Sequence, residues 1–124
     1  MSTVAVLGAS DNPERIAYQA VERLLRNHHE VIPVSPKGGE ILGLPVVSTL
    51  GQISAPVDTL TLYVGPDRQG ALVGDIVALK PRRVIFNPGT ENPTIYPQLQ
   101  QAGIAVEEAC TLVLLSSRQF DVTI

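Results

Sequence analysis

The chain has 124 residues, 44% of them hydrophobic, a formal net charge of −3 and one cysteine, Cys110. That composition excludes a disordered segment, an intrachain disulfide framework and the basic excess of a nucleic-acid binder. No stretch approaches the roughly 18 apolar residues of a membrane span and no secretory signal opens the chain, so the expectation is one cytoplasmic domain over residues 1–124, with neither a membrane nor a nucleic-acid partner.

The first element is an apolar run, Thr3 to Leu7, closed by Gly8. It reads as a strand buried on both faces. A helix is expected from Pro13 to Asn27, with Ile16, Ala17, Ala20, Val21, Leu24 and Leu25 inward, Ser10, Asp11 or Asn12 as cap and Pro13 in the first turn. Glu30 to Val34 is a second strand, broken at Ser35-Pro36-Lys37-Gly38-Gly39. Gly43 to Thr49 is expected to add a short strand at an edge, because Pro45 cannot donate to a ladder. Thr59 to Val64 is the next strand, ending at Gly65-Pro66, and a helix is expected from Asp67 to Leu79 with Ala71, Leu72, Ile76 and Leu79 inward. Arg83 to Phe86 forms a strand ending at Asn87-Pro88-Gly89. A helix within Thr94 to Ala102 starts late or kinks at Pro97, Ile104 to Val106 is the last strand, and Thr111 to Ser116 makes a final helical turn or two.

This alternation predicts a Rossmann-like three-layer α/β fold, with a mostly parallel sheet and helices on both faces. In such sheets ligands bind at the carboxyl ends of the strands, near the point where strand order reverses. Five segments fall there: Gly8 to Asn12, Ser35 to Lys37, Gly65 to Arg68, Asn87 to Glu91, and Glu107 to Thr111. Gly8 either makes a tight turn or lets a ligand approach the backbone, and free amides at the following helix start favour a phosphate. Of nine basic residues, Arg15, Lys37 and Arg68 lie at carboxyl ends, whereas Lys80, Arg82 and Arg83 precede a strand and Arg23 and Arg26 point away. An NAD site wants Asp or Glu after the second strand. Lys37 stands there instead, suiting a phosphorylated ribose as in coenzyme A or NADP. Only the first glycine of G-x-G-x-x-G is present, which weakens NADP.

Gly8-Ala9-Ser10-Asp11-Asn12-Pro13-Glu14-Arg15, then Val34-Ser35-Pro36-Lys37-Gly38-Gly39-Glu40-Ile41-Leu42-Gly43, then Pro88-Gly89-Thr90-Glu91 resemble the stand-alone CoA-binding domain family of the YccU type, over nearly the whole chain and in the family's order. The chain is also similar to the N-terminal CoA-binding domain of the succinyl-CoA synthetase α subunit. The resemblance implies coenzyme A or an acyl-CoA as ligand. It implies a phosphate turn at Gly8, Ala9 and Ser10, a nucleotide contact from Lys37 with Ser35 and Pro36 beside it, and further turns at Gly65-Pro66 and Pro88-Gly89-Thr90. Arg15 matches the family's Asn-Pro-x-Arg run. Asp11-Asn12 departs from the synthetase turn, which carries a further glycine. The synthetase's catalytic histidine belongs to a second domain that this sequence lacks, and His28 and His29 are expected at the surface or helix end.

No catalytic constellation, metal-ligand spacing or Walker loop stands out. Glu91, Glu107 and Glu108 lie near the expected mouth; Tyr18 faces ligand or core; Cys110 faces the site or is buried as a small core residue. The reading is a non-catalytic CoA-binding module whose protein partner is unknown. The alternatives are an NADP-dependent oxidoreductase and the CoA-binding subunit of an acyl-CoA ligase complex.

Overall fold

A computed structural model describes residues 2–121. Strand β1 (Thr3–Leu7) alternates its side chains between two buried faces: Val4 and Val6 point to one, Ala5 and Leu7 to the other. Strands β2 (Glu30–Val34), β5 (Thr59–Leu62), β6 (Arg83–Phe86) and β7 (Ala105–Glu108) join it in a five-stranded, fully parallel sheet of order β2-β1-β5-β6-β7. The chain runs outward from β1 to β2 and returns to the other side of β1, so strand order reverses between β1 and β5. This is the flavodoxin-like arrangement of five parallel strands.

Helices α1 (Ile16–Arg26) and α4 (Thr111–Ser116) cover the face of Val4, Val6 and Ile85 with Val21, Leu24 and Leu115. Helices α2 (Val73–Leu79) and α3 (Tyr96–Gln101) cover the opposite face, where Ile76 and Leu99 pack on Leu7, Leu60, Leu62 and Phe86. The expected three-layer α/β architecture is therefore present.

Four local expectations are corrected. The edge strand over Gly43 to Thr49 is instead a two-stranded antiparallel hairpin, β3 (Glu40–Ile41) with β4 (Leu44–Pro45), followed by a single parallel bridge from Val47 to Val34. Leu42 (φ 51°) and Gly43 (φ 81°) make its two-residue turn, the positive-φ pair that a tight hairpin requires. Helix α1 begins at Ile16, not Pro13. Arg15 is extended, and the Ser10 and Asn12 side chains accept the amides of Asn12 and Glu14, so they stabilise the preceding turn rather than cap the helix. Ile16 is consequently 55% exposed. The helix over Asp67 to Leu79 is divided into 3-10 turns at Pro66–Arg68 and Gly70–Leu72 before α2, and Ala71 is exposed. Gly70 and Gly74 weaken a continuous helix, and Gln69, fully buried, donates from Nε2 to the carbonyls of Val64 (2.8 Å) and Thr90 (2.7 Å). Pro97 lies in the first turn of α3, where no amide is missed.

His29 is the fourth correction: it is only 5% exposed. Its Nδ1 accepts the Ser2 amide (3.0 Å), and its ring packs on Phe120. Beneath Phe120 lies Arg83, also buried, which donates to Thr59, Glu107 and the Phe120 carbonyl. Glu107 and Glu108 belong to β7 itself, and Glu107 is engaged by Arg83 at 3.0 Å.

Candidate functional site

The reversal of strand order opens a crevice where β1 and β5 end. Gly8 closes β1 with φ 88°, and a Cβ there would stand 3.0 Å from the Tyr63 carbonyl oxygen. Glycine is thus demanded by the neighbouring strand as well as by the turn. The Gly8 and Ala9 amides both donate to the Val34 carbonyl, at 3.0 and 3.1 Å. Among the described residues it is the amides of Ser10 and Asp11 that have no protein acceptor. Any anion held by the amides of this turn therefore meets it first at Ser10, two residues beyond the glycine.

A cavity of about 660 Å³ lies over this crevice. Gly8, Ala9 and Arg15 line it from the segment after β1, Ser35, Pro36 and Lys37 from that after β2, and Tyr63, Val64 and Arg68 from that after β5, with Ser48, Thr49, Leu50, Leu72 and Asp75 completing the wall. A second cavity of about 410 Å³ adjoins it across Gly8, Arg15 and Tyr63, and adds Ser10, Glu14, Ile16 and Ala17. Arg15, Lys37 and Arg68 all reach the larger cavity, and among the described residues none of their side chains has a carboxylate within ion-pair distance. Arg15 sits at the N-terminus of α1, whose first turn carries no acidic residue. The positive end of that helix adds to the cationic character of the opening.

Below the cavity the strand ends are locked by a buried polar network. Asn87, at the end of β6, donates from Nδ2 to Thr61 Oγ1 (2.7 Å) and to the Leu62 carbonyl (2.9 Å), and accepts the Thr111 amide on Oδ1 (2.9 Å). The Thr61 and Thr111 hydroxyls are themselves 2.7 Å apart. The Tyr63 phenol is buried beside them without a hydrogen-bond partner among the described residues. Burial pushes its pKa up to about 12, against the pull of the Thr111 and Thr61 hydroxyls. Tyr63 lines both cavities, while its phenol oxygen is buried beside the two threonines and away from the open space.

The geometry divides the residues singled out from the sequence. Gly8, Ala9, Arg15, Ser35, Pro36 and Lys37 come together on the larger cavity, and Ser10 on the adjoining one. Gly65, Pro66, Pro88, Gly89 and Thr90 do not line either cavity. Thr90 is buried, bonding the Asn87 carbonyl through its hydroxyl, while Glu91 accepts the Gly89 amide. Glu108 accepts the Tyr96 hydroxyl at 2.8 Å. Cys110 is half-buried ahead of α4 and lines neither cavity, and Tyr18 packs on the α1 face of the core. Sequence reasoning missed Tyr63, Val64, Leu72, Asp75 and the Ser48 to Leu50 segment. Tyr63 and Val64 directly precede Gly65 and could have been found. Ser48 to Leu50 could not, because only the Val47 bridge to Val34 brings that segment to the cavity. Among the described residues no group of three or more His, Cys, Asp or Glu side chains could hold a metal ion, and no helix is long and apolar enough to cross a membrane.

Fold and cavity together define a flavodoxin-like α/β protein with a cationic cleft at its switch point. Residues 2–116 match the CoA binding domain family, and the chain belongs to it. It is similar to a crystal structure of an uncharacterized protein at 45% identity and a TM-score of 0.92, covering 97% of this chain and 98% of that one. A Thermus thermophilus structure aligns at 32% identity and a TM-score of 0.88, over 96% and 90% of the two chains. The uncharacterized protein YneT of Bacillus subtilis is 26% identical over 103 residues, covering 83% of this chain and 76% of YneT. The residues at the cleft suit a CoA-type ligand: Arg15, Lys37 and Arg68, without carboxylate partners among the described residues, line a space of about 660 Å³, and Ser10, whose amide has no protein acceptor, lines the adjoining one.

Proposed function

We propose that this protein binds coenzyme A or an acyl-CoA at the carboxyl ends of β1, β2 and β5, as a binding module without a reaction of its own, in the cytoplasm. The observation that carries the reading is the meeting of Lys37, Arg15 and the Gly8 turn on one cavity in a member of the CoA binding domain family. Lys37, at the end of β2, takes the 3′-phosphate of the nucleotide, with Ser35 and Pro36 beside the base. The Gly8-Ala9-Ser10 turn holds phosphates of the ligand, with the Ser10 amide as its free donor. The turns at Gly65-Pro66 and Pro88-Gly89-Thr90 complete the site.

Thermal-shift titration with CoA, acetyl-CoA, dephospho-CoA, NADP and NAD tests the reading. A ligand at 100 times its dissociation constant adds about 2.7 kcal/mol to stability, worth several degrees in a domain of this size. CoA raises the melting temperature, dephospho-CoA raises it less, and Lys37→Ala removes that difference. A shift with NADP and none with CoA would instead favour an oxidoreductase. A shift only after mixing with a ligase partner chain would favour the subunit reading.

A further inference from the structure

The segments that follow three adjacent strands each bring one cation to the larger cavity: Lys37 beyond β2, Arg15 beyond β1 at the start of α1, and Arg68 in the 3-10 turn beyond β5. The ends of β2 and β5 lie about 10 Å apart with β1 between them, and the loops beyond them carry Lys37 and Arg68. Such a spread suits a ligand whose phosphates are separated rather than clustered. The backbone of Arg68 is held firmly. Its amide donates to the Gly65 carbonyl (3.1 Å), and the next residue is the buried Gln69, tied to Val64 and Thr90. Its guanidinium, by contrast, makes no ion pair or hydrogen bond among the described residues, even with Asp67 beside it or Asp75 on the same wall. Arg23, Lys80 and Arg118 also lack ion-pair partners among the described residues, but they do not line either cavity.

We propose that Arg68 is a ligand-binding residue of this cleft, gripping the 5′-diphosphate of the ligand while Lys37 binds the 3′-phosphate; the assignment rests on the CoA reading above. The chemistry of the two side chains matches the division. A guanidinium presents a planar fork that can grip two phosphate oxygens at once, as a diphosphate offers, whereas an ammonium is a compact point charge suited to a phosphomonoester. The two phosphate groups stand on opposite sides of the ribose, and the two cations belong to segments that follow the strands on either side of β1.

Calorimetric titration of the full chain with CoA and with dephospho-CoA, which lacks only the 3′-phosphate, separates the roles. Arg68→Gln weakens both ligands by the same factor, about tenfold or more, as expected for loss of a charge-assisted contact. Arg68→Lys recovers part of that loss. Lys80→Gln, the same charge change at an exposed residue away from the cavity, leaves both affinities unchanged. Lys37→Gln weakens CoA and spares dephospho-CoA. Should Arg68→Gln weaken CoA alone, or neither ligand, while the unaltered protein binds both, the assignment of Arg68 is overturned and the CoA reading stands. An unaltered protein that binds neither overturns both.

Discussion

Replacing Asn87 by alanine tests whether the strand ends are locked from below. Asn87 is 1% exposed and makes three hydrogen bonds: to Thr61 Oγ1, to the Leu62 carbonyl and from the Thr111 amide. A net contribution of about 1 kcal/mol each gives about 3 kcal/mol. The Thr111 amide opens α4 and has no intrahelical acceptor, so its stranding adds about 1–2 kcal/mol. The expected loss is about 4–5 kcal/mol, a large part of the roughly 5–15 kcal/mol that holds a domain together. Urea unfolding followed by circular dichroism measures it directly, with the midpoint falling and the slope unchanged. Thr111→Val is the companion, since it removes only the hydroxyl contact to Thr61 and costs about 1 kcal/mol. An Asn87→Ala protein within about 1 kcal/mol of the unaltered one would refute the reasoning, and would mean that water or Thr61 replaces the amide side chain.

Two further outcomes follow from the same coordinates. Gly8→Ala forces a left-handed backbone on a Cβ that meets the Tyr63 carbonyl at 3.0 Å, so a loss of about 2–4 kcal/mol is expected in the same unfolding assay; an unchanged stability would show that the β1–β5 crossing yields easily. Burial holds the His29 pKa below its ordinary 6.5, assisted by Arg83 and opposed by Asp121. The unfolded chain then binds the extra proton more readily than the folded one, so the His29 contribution is intact above pH 6.5 and is lost as pH falls through the depressed folded value. Melting temperature measured against pH should show this slope below pH 6.5, and His29→Gln should remove it; the same slope in both proteins would assign it to other groups.

Much of the molecule was legible in the chain. β1, β2, β6 and α4 lie where apolar runs and turn residues put them, because a strand buried on both faces leaves few alternatives in its sequence. The three-layer parallel fold follows from alternation alone. Boundaries were read less well wherever a side chain competes with the backbone. Ser10 and Asn12 hold a turn that delays α1, and Gln69 pulls its segment inward and divides the helix before α2. No periodicity reports such hydrogen bonds. His29 looked like a helix-end residue because its burial depends on Phe120, far away in sequence.

The location of the cleft was determined by the sequence itself: a glycine ending the first of several parallel strands, and a lysine instead of an acid ending the second. Which residues meet there was decided only by the tertiary structure. Strand order places β5 beside β1, so Tyr63, Val64 and Arg68 form a wall, while β6 and β7 lie farther from the switch point and the turn at Pro88 to Thr90 lines neither cavity. The physical reason is that residue type and spacing specify local conformation, whereas adjacency of strand ends depends on where each crossover returns to the sheet.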